Sequence, residues 1–187
     1  MSQEGSKTCI AFYSRAGENY FGGSIKNIPI GNTKVVAQIL QKITGGDLCE
    51  IISKDYPENY TKCTEVAKED LHNNIRPEIK LKVNDSIVSD FSINQYDTLY
   101  IGNPCWWGTA PMPVFTFLEK YVNQYSGPCL NLHPFITHEG SGLGSDITDI
   151  TKSVGSNKNI KISKGLAISG SSCNNCQDKL QKWVKSF

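Results

Sequence analysis

The sequence has no surplus of charge: 19 Lys and Arg stand against 18 Asp and Glu, and the resulting formal charge of +1 is interspersed. A nucleic-acid surface needs a basic stripe and a strongly acidic docking protein the opposite, so neither class is indicated. Long apolar runs are missing, which removes any reason to expect a membrane-spanning helix. Ahead of Thr8, Met1-Ser-Gln-Glu-Gly-Ser-Lys7 is polar, and the apolar run behind it is too short for the core of a signal peptide. The seven cysteines are odd in number and lie in apolar runs as well as loops. A disulfide framework is therefore not expected, and a reducing cytoplasm is. Only Cys173 and Cys176 have metal-ligand spacing, with no second pair or histidine to complete four ligands, so no metal is expected. No Walker lysine motif and no Gly-x-Gly-x-x-Gly after a strand is found, which argues against nucleoside triphosphate and dinucleotide folds.

What is present is alternation. A chain of 187 residues, 39% hydrophobic and 20% charged, can bury a full core, most simply as one domain over residues 1–187. Cys9 to Tyr13 is an apolar run without strict alternation, as expected of a strand covered on both faces. Thr33 to Ile43 carries Val35, Val36, Ile39, Leu40 and Ile43 at helical spacing and is stopped by Gly45-Gly46. Asp47 to Ile52 reads as a second strand, Pro57 to Asn73 as a helix, and Ile75 to Gln95 as a polar, irregular crossing. Tyr96 to Gly102 is the third strand, Pro113 to Tyr121 a helix, and Asn131 to Thr137 the fourth strand. Asp146 to Val154 is a short helix, Lys164 to Ser169 the fifth strand, and Ser171 or Ser172 caps a final helix through Leu180, Trp183 and Val184. Strands that alternate with helices imply right-handed crossovers, hence an α/β fold with a parallel sheet covered on both faces.

In such sheets ligands sit beyond the carboxyl ends of the strands, so the strand-end loops carry the functional signal. The first loop, Ser14 to Asn19, rejoins a helix start at Asn32-Thr33. Hydroxyls and unpaired backbone N–H groups meet there at the positive end of a helix dipole, which binds phosphate without needing Lys or Arg. The alternative is an ordinary Asn or Thr helix cap. In the second, Asn103-Pro-Cys-Trp-Trp-Gly-Thr-Ala-Pro-Met-Pro113, consecutive indoles cannot both point inward, so at least one is exposed or stacked on something flat. Gly108 leaves the backbone free to approach such a ring. The third, Thr137-His-Glu-Gly-Ser-Gly-Leu-Gly-Ser145, is rich in glycine and can turn main-chain groups toward a polar ring edge.

The motifs Tyr-Ser-x-x-Gly at 13–17, Gly-Asn-Thr at 31–33, Pro-x-Trp-Trp-Gly-x-x-Pro at 104–111 and Thr-x-x-Gly-Ser-Gly at 137–142 run in this order across nearly the whole chain. Together they resemble the flavodoxin-like superfamily, closest to the branch with an interrupted phosphate loop. The resemblance implies a three-layer α/β/α sandwich, a five-stranded parallel sheet in the order 2-1-3-4-5, and FMN at the strand ends. It places Ser14, Ala16, Asn32 and Thr33 around the phosphate, with Gly17 and Asn19 of the same loop in the cofactor-binding set. Pro104, Cys105, Trp106, Trp107 and Gly108 then border the isoalloxazine, and Thr137 with Glu139, Gly140, Ser141 and Gly142 lies near its pyrimidine end. Two features depart from that pattern. Glu18 to Ile30, with Gly22-Gly23 at its centre, looks like a small hairpin inserted into the phosphate loop. His138 and Glu139 stand where small residues are expected, and a carboxylate there would disfavour an anionic reduced flavin.

Of the remaining candidates, His72 and His133 read as surface or packing residues, His138 sits in the presumed cofactor loop, and Arg15 is either a phosphate clamp or a solvated loop residue. Three readings stay open: an NAD(P)H-dependent reductase of quinones or other small acceptors, an electron carrier docking on redox partner proteins, and a flavin or nucleotide binder with a structural role. The near-neutral charge weakens the carrier reading, because carriers are steered by an acidic face.

Overall fold

The computed structural model describes residues 7–187, and Met1 to Ser6, most of the polar stretch read ahead of Thr8, lie outside them. In chain order the elements are β1 (Thr8–Phe12), β2 (Gly17–Phe21), β3 (Ser24–Ile28), α1 (Asn32–Thr44), β4 (Asp47–Ser53) and α2 (Tyr60–His72). There follow β5 (Ile79–Val83), β6 (Ser86–Val88), β7 (Thr98–Pro104), α3 (Met112–Phe117) and β8 (Leu130–His138). The chain ends with α4 (Asp146–Val154), β9 (Ile160–Ile162), β10 (Leu166–Ser169) and α5 (Gln177–Val184).

β1 lies in the middle and pairs in parallel with β4 on one side and β7 on the other. β7 pairs in parallel with β8, and β8 with β10. Numbered among themselves, these five strands stand in the order 2-1-3-4-5, and both flanks of the sheet are filled by helices. Cys9 and Ala11 of β1 join the apolar cluster under α2, α3 and α4, while Ile10 and Phe12 join the one under α1 and α5. This two-sided burial is why the first apolar run shows no polar alternation.

The sheet is larger than the five strands read from the sequence: it has eight. The stretch read as an irregular crossing at Ile75 to Gln95 contains β5 and β6, which add antiparallel strands beyond β4. Ile79 and Leu81 are buried while Lys80 faces out, and Asn84 and Asp85 turn the chain at φ of 44° and 69°. The fifth parallel strand is split: β9 pairs with β8 from Leu130↔Ile160, and β10 from Phe135↔Leu166, one residue out of step. A one-residue bulge of this kind bends the edge of a sheet.

Helix limits also shift. α2 begins at Tyr60, because Asn59 caps it by accepting from the Lys62 N–H, and this leaves Pro57 and Glu58 in the preceding loop. α3 runs into a π-helical turn at Leu118–Val122. The last helix is not capped by Ser171 or Ser172: a 3-10 segment occupies Gly170–Asn175, and Cys176 holds the cap position of α5. Among the described residues no helix is long and apolar enough to cross a membrane. All seven cysteines are free thiols.

Candidate functional site

The carboxyl ends of β1, β7 and β8 converge with the start of α1 on a cleft of two lobes. The polar lobe, about 210 Å³, is bounded by Ser14 at the end of β1, Asn32 and Thr33 on α1, and Thr137, Glu139 and Ser141 after β8. The second lobe, about 300 Å³, is walled by Trp106 and Trp107 on one side and by Cys63, Thr64 and Ala67 of α2 on the other. Arg15, Asn19, Tyr60, Cys105 and Trp106 face both, so the lobes are contiguous.

At the polar lobe α1 starts without a side-chain cap of its own. The cap position is Gly31, not Asn32 or Thr33, and Ser14 Oγ accepts the Lys34 N–H at 3.1 Å from across the loop. A Cβ on Gly31 would lie 2.2 Å from Ser14 Oγ and 2.5 Å from the Arg15 carbonyl, so only glycine lets the helix begin flush against that loop. The first-turn N–H groups of a helix have no intrahelical acceptor. Here the Lys34 N–H donates to Ser14 Oγ and the Val35 N–H to the Gly31 carbonyl at 3.2 Å, while the Asn32 and Thr33 N–H groups have no acceptor among the described residues. Thr33 Oγ and Thr137 Oγ, 2.7 Å apart and buried, tie α1 to the end of β8.

The second lobe owes its shape to the loop after β7. Trp106 N–H donates to the Thr109 carbonyl at 2.9 Å and Thr109 N–H returns to Trp106 at 3.2 Å. The intervening Trp107 and Gly108 take φ of 54° and 83°, a turn with both central residues left-handed. The two indoles diverge as a result. Trp106 packs edge-on to Tyr13 and Tyr56, with centroids 5.7 and 5.1 Å away. Trp107 is 52% exposed, and its Nε1 donates to the Thr64 carbonyl at 2.9 Å. Gly108 does not reach the cleft: its carbonyl accepts from Ser145 N at 2.8 Å and binds this loop to the one after β8.

The remaining expected residues divide in the same way. Asn19 is in the cleft, its Nδ2 donating to the Arg15 and Gly17 carbonyls. Ala16 and Gly17 line a separate open groove of about 700 Å³ beside Lys54 and Asp55. Gly140 and Gly142 shape the loop at φ of 120° and 63° without lining either lobe. His138 lies at the wall, and its Nδ1 accepts the Gly140 N–H at 3.0 Å. His133 packs against Phe187 and Trp183, and burial pushes its pKa down to about 4.

Tyr60, Tyr20 and Ile28 also line the cleft and were not read from the sequence. Tyr20 and Ile28 belong to the inserted hairpin, and Tyr60 comes from a helix that no loop signal connects to the site. Arg15 is half-buried and lines both lobes, held by main-chain carbonyls rather than left loose in solvent. Its guanidinium donates to the Glu18 carbonyl and to those of Pro57 and Glu58 at 2.7 and 2.6 Å. These acceptors are neutral, and among the described residues no carboxylate forms an ion pair with Arg15 beside the two lobes.

The arrangement fits a phosphorylated molecule with a flat aromatic end. Free first-turn N–H groups and hydroxyls at one end suit a phosphate, and the aromatic lobe suits a ring. No curated protein matches the chain in sequence. Among solved structures, the flavoprotein from Lactobacillus acidophilus NCFM in complex with FMN is 22% identical. That match covers 94% of this chain and 98% of that one, at a TM-score of 0.63. The apo-form of the flavoprotein from Lactobacillus acidophilus NCFM is 20% identical over 94% and 97%, with a TM-score of 0.58. A Bacteroides uniformis chain whose flavoprotein character is itself inferred is 23% identical over 97% and 99%, at 0.66. At these identities the likeness is one of fold. The family model described as flavodoxin matches residues 20–187, and over that length this chain belongs to the flavodoxin family.

Proposed function

We propose that the chain is an FMN-binding oxidoreductase that passes electrons from NAD(P)H to quinones or other small acceptors. The observation that carries this reading is the split of one cleft into a polar lobe at the start of α1 and an aromatic lobe at Trp106, at the point where the strand order reverses. Ser14 and the N–H groups of Asn32 and Thr33 would hold the phosphate. Trp106, fixed by Tyr13 and Tyr56, would border the ring, and Arg15 would favour negative charge beside it. When bound, FMN supplies two-electron redox chemistry at its ring, and the protein supplies orientation and electrostatics. The net reaction is NAD(P)H, a proton and a quinone giving NAD(P)⁺ and the hydroquinone.

The formal net charge of +1 supports turnover of small molecules over docking on a charged partner. Anaerobic mixing of the FMN-loaded protein with NADH or NADPH tests this. The absorbance near 450 nm, a general property of oxidised flavin at roughly that wavelength, should bleach and return when a quinone is added. A flavin that stays yellow with both nucleotides, yet is reduced by dithionite, would identify a carrier instead.

A further inference from the structure

We propose that the β2–β3 hairpin is a strap across the mouth of the cleft and that Glu139 is the positioning residue that holds it shut; this rests on the reading of the cleft as the FMN site. The base of the hairpin is fixed to the α2 side. Arg15 clamps the Glu18 carbonyl to those of Pro57 and Glu58. Glu18 Oε2 accepts the Tyr60 N–H at 2.8 Å and Asn59 Nδ2 at 3.3 Å, and the Tyr20 and Tyr60 rings lie 6.4 Å apart. The tip is fixed on the other side of the site, where the Gly22 N–H donates to Glu139 Oε2 at 3.0 Å.

α2 follows β4 and Glu139 follows β8, and β1 and β7 lie between those two strands in the sheet. The hairpin therefore spans the strand ends over which the cleft opens, and Tyr20 and Ile28 close part of its wall. The two attachments are unequal: several bonds at the base, one hydrogen bond to a carboxylate at the tip. Ser24 to Asn27 are exposed, and a two-stranded ribbon is marginal without such anchors. The geometry is that of a hinge at Arg15 and a latch at Gly22.

Glu139 is held ready for this role. Its Oε1 is buried without a hydrogen-bond partner among the described residues, and a Cβ on Gly170 would lie 1.9 Å from it and 2.5 Å from Asn32 Nδ2. The carboxylate is thus wedged against the Gly170 backbone beside the first residue of α1, with its other oxygen turned to the hairpin. Leaving a buried acceptor unpaired is unfavourable. That cost is retained at a residue whose one bond closes the site.

The test is the dissociation rate of FMN, followed by flavin fluorescence after dilution, together with hydrogen exchange of the Gly22 to Lys26 amides. Glu139→Ala should release FMN about tenfold faster, the loss expected for one hydrogen bond to a charged group, and should expose those amides. Glu139→Gln keeps an acceptor and should restore both readouts to within about threefold of the wild type. An Ala variant with wild-type release, or with hairpin amides protected as before, would overturn the proposal. A wild-type protein that takes up no FMN would sink the cofactor reading instead, while the exchange comparison of the three proteins would still judge the latch.

Discussion

Trp106 sits edge-on between Tyr13 and Tyr56, and the rest of its ring faces the cleft. Such aromatic pairs contribute about 0.5–1.5 kcal/mol each beyond their buried area, which fixes the plane available to a bound ring. Trp106→Phe keeps an aromatic body there but removes the indole. Bound flavin should therefore regain fluorescence in Trp106→Phe and stay quenched in Trp107→Phe, since Trp107 is tied to the Thr64 carbonyl at the rim. Equal quenching in both variants would assign the ring contact elsewhere. Asp146, behind the same loops, carries a pH dependence. It is fully buried, accepts from Asn103 Nδ2 at 2.7 Å, and leaves its Oδ1 and Asn103 Oδ1 without partners among the described residues. Burial pushes its pKa from 3.8 to about 7, aided by the Asp149 charge and outweighing the Asn103 bond. A carboxyl whose folded pKa lies above its unfolded value contributes stability fully below the unfolded value and loses it as pH rises through the folded one. Chemical denaturation should thus show the wild type losing stability relative to Asp146→Asn between about pH 4 and 7, by at most about 4 kcal/mol at 1.36 kcal/mol per pKa unit. A difference that stays flat over that range would show that Asp146 is ionised throughout.

At the level of elements, Cys173 and Cys176 show what a terminal helix does with two spaced thiols. A thiol in the first turn of a helix, with a partner three positions away across two intervening residues, is the pattern of a redox pair. Here both are buried, Cys176 Sγ donates to the Cys173 carbonyl at 3.1 Å, and burial pushes Cys173 up to about 12, away from thiolate. Replacing both by alanine should cost stability while leaving FMN binding and flavin reduction within about twofold. A tenfold slower reduction with binding intact would make them an electron relay. Much of the architecture was legible before the fold. The five parallel strands follow from alternation, and the inserted hairpin from Gly22-Gly23, which turns at φ of 60° and 87°. The antiparallel extension was missed although Ile79-Lys-Leu-Lys-Val83 alternates and Asn84-Asp85 marks a turn. Pro77 and the surrounding polar residues masked a strand only five residues long. The helix cap was misassigned for a different reason. Ser14 supplies it from 20 positions away, and no local pattern encodes a bond of that separation. Ten of the sixteen expected cofactor residues line the polar lobe and Trp107 the aromatic one, whereas Ala16, Gly17, Gly108, Gly140 and Gly142 shape its supporting loops or the adjoining groove. Tyr60 and the strap residues Tyr20 and Ile28 escaped notice because they reach the site only through tertiary packing.

For the whole molecule, the sheet order sets where chemistry can occur, and the loops decide what it is. The order reverses at β1, so the connections leaving β1 and β7 run to opposite faces of the sheet, to α1 on one and α3 on the other, and a crevice is left between their loops. Hydroxyls and free N–H groups at one end of that crevice and indole at the other suit the single elongated ligand proposed above. The visible spectrum of the purified protein, with identification of the molecule released on denaturation, tests this most directly. The account predicts a yellow protein that releases FMN in equimolar amount, or a colourless one that becomes yellow when FMN is added and quenches its fluorescence. A protein that stays colourless in the presence of FMN, with flavin fluorescence unchanged at concentrations of about 100 μM, would contradict it.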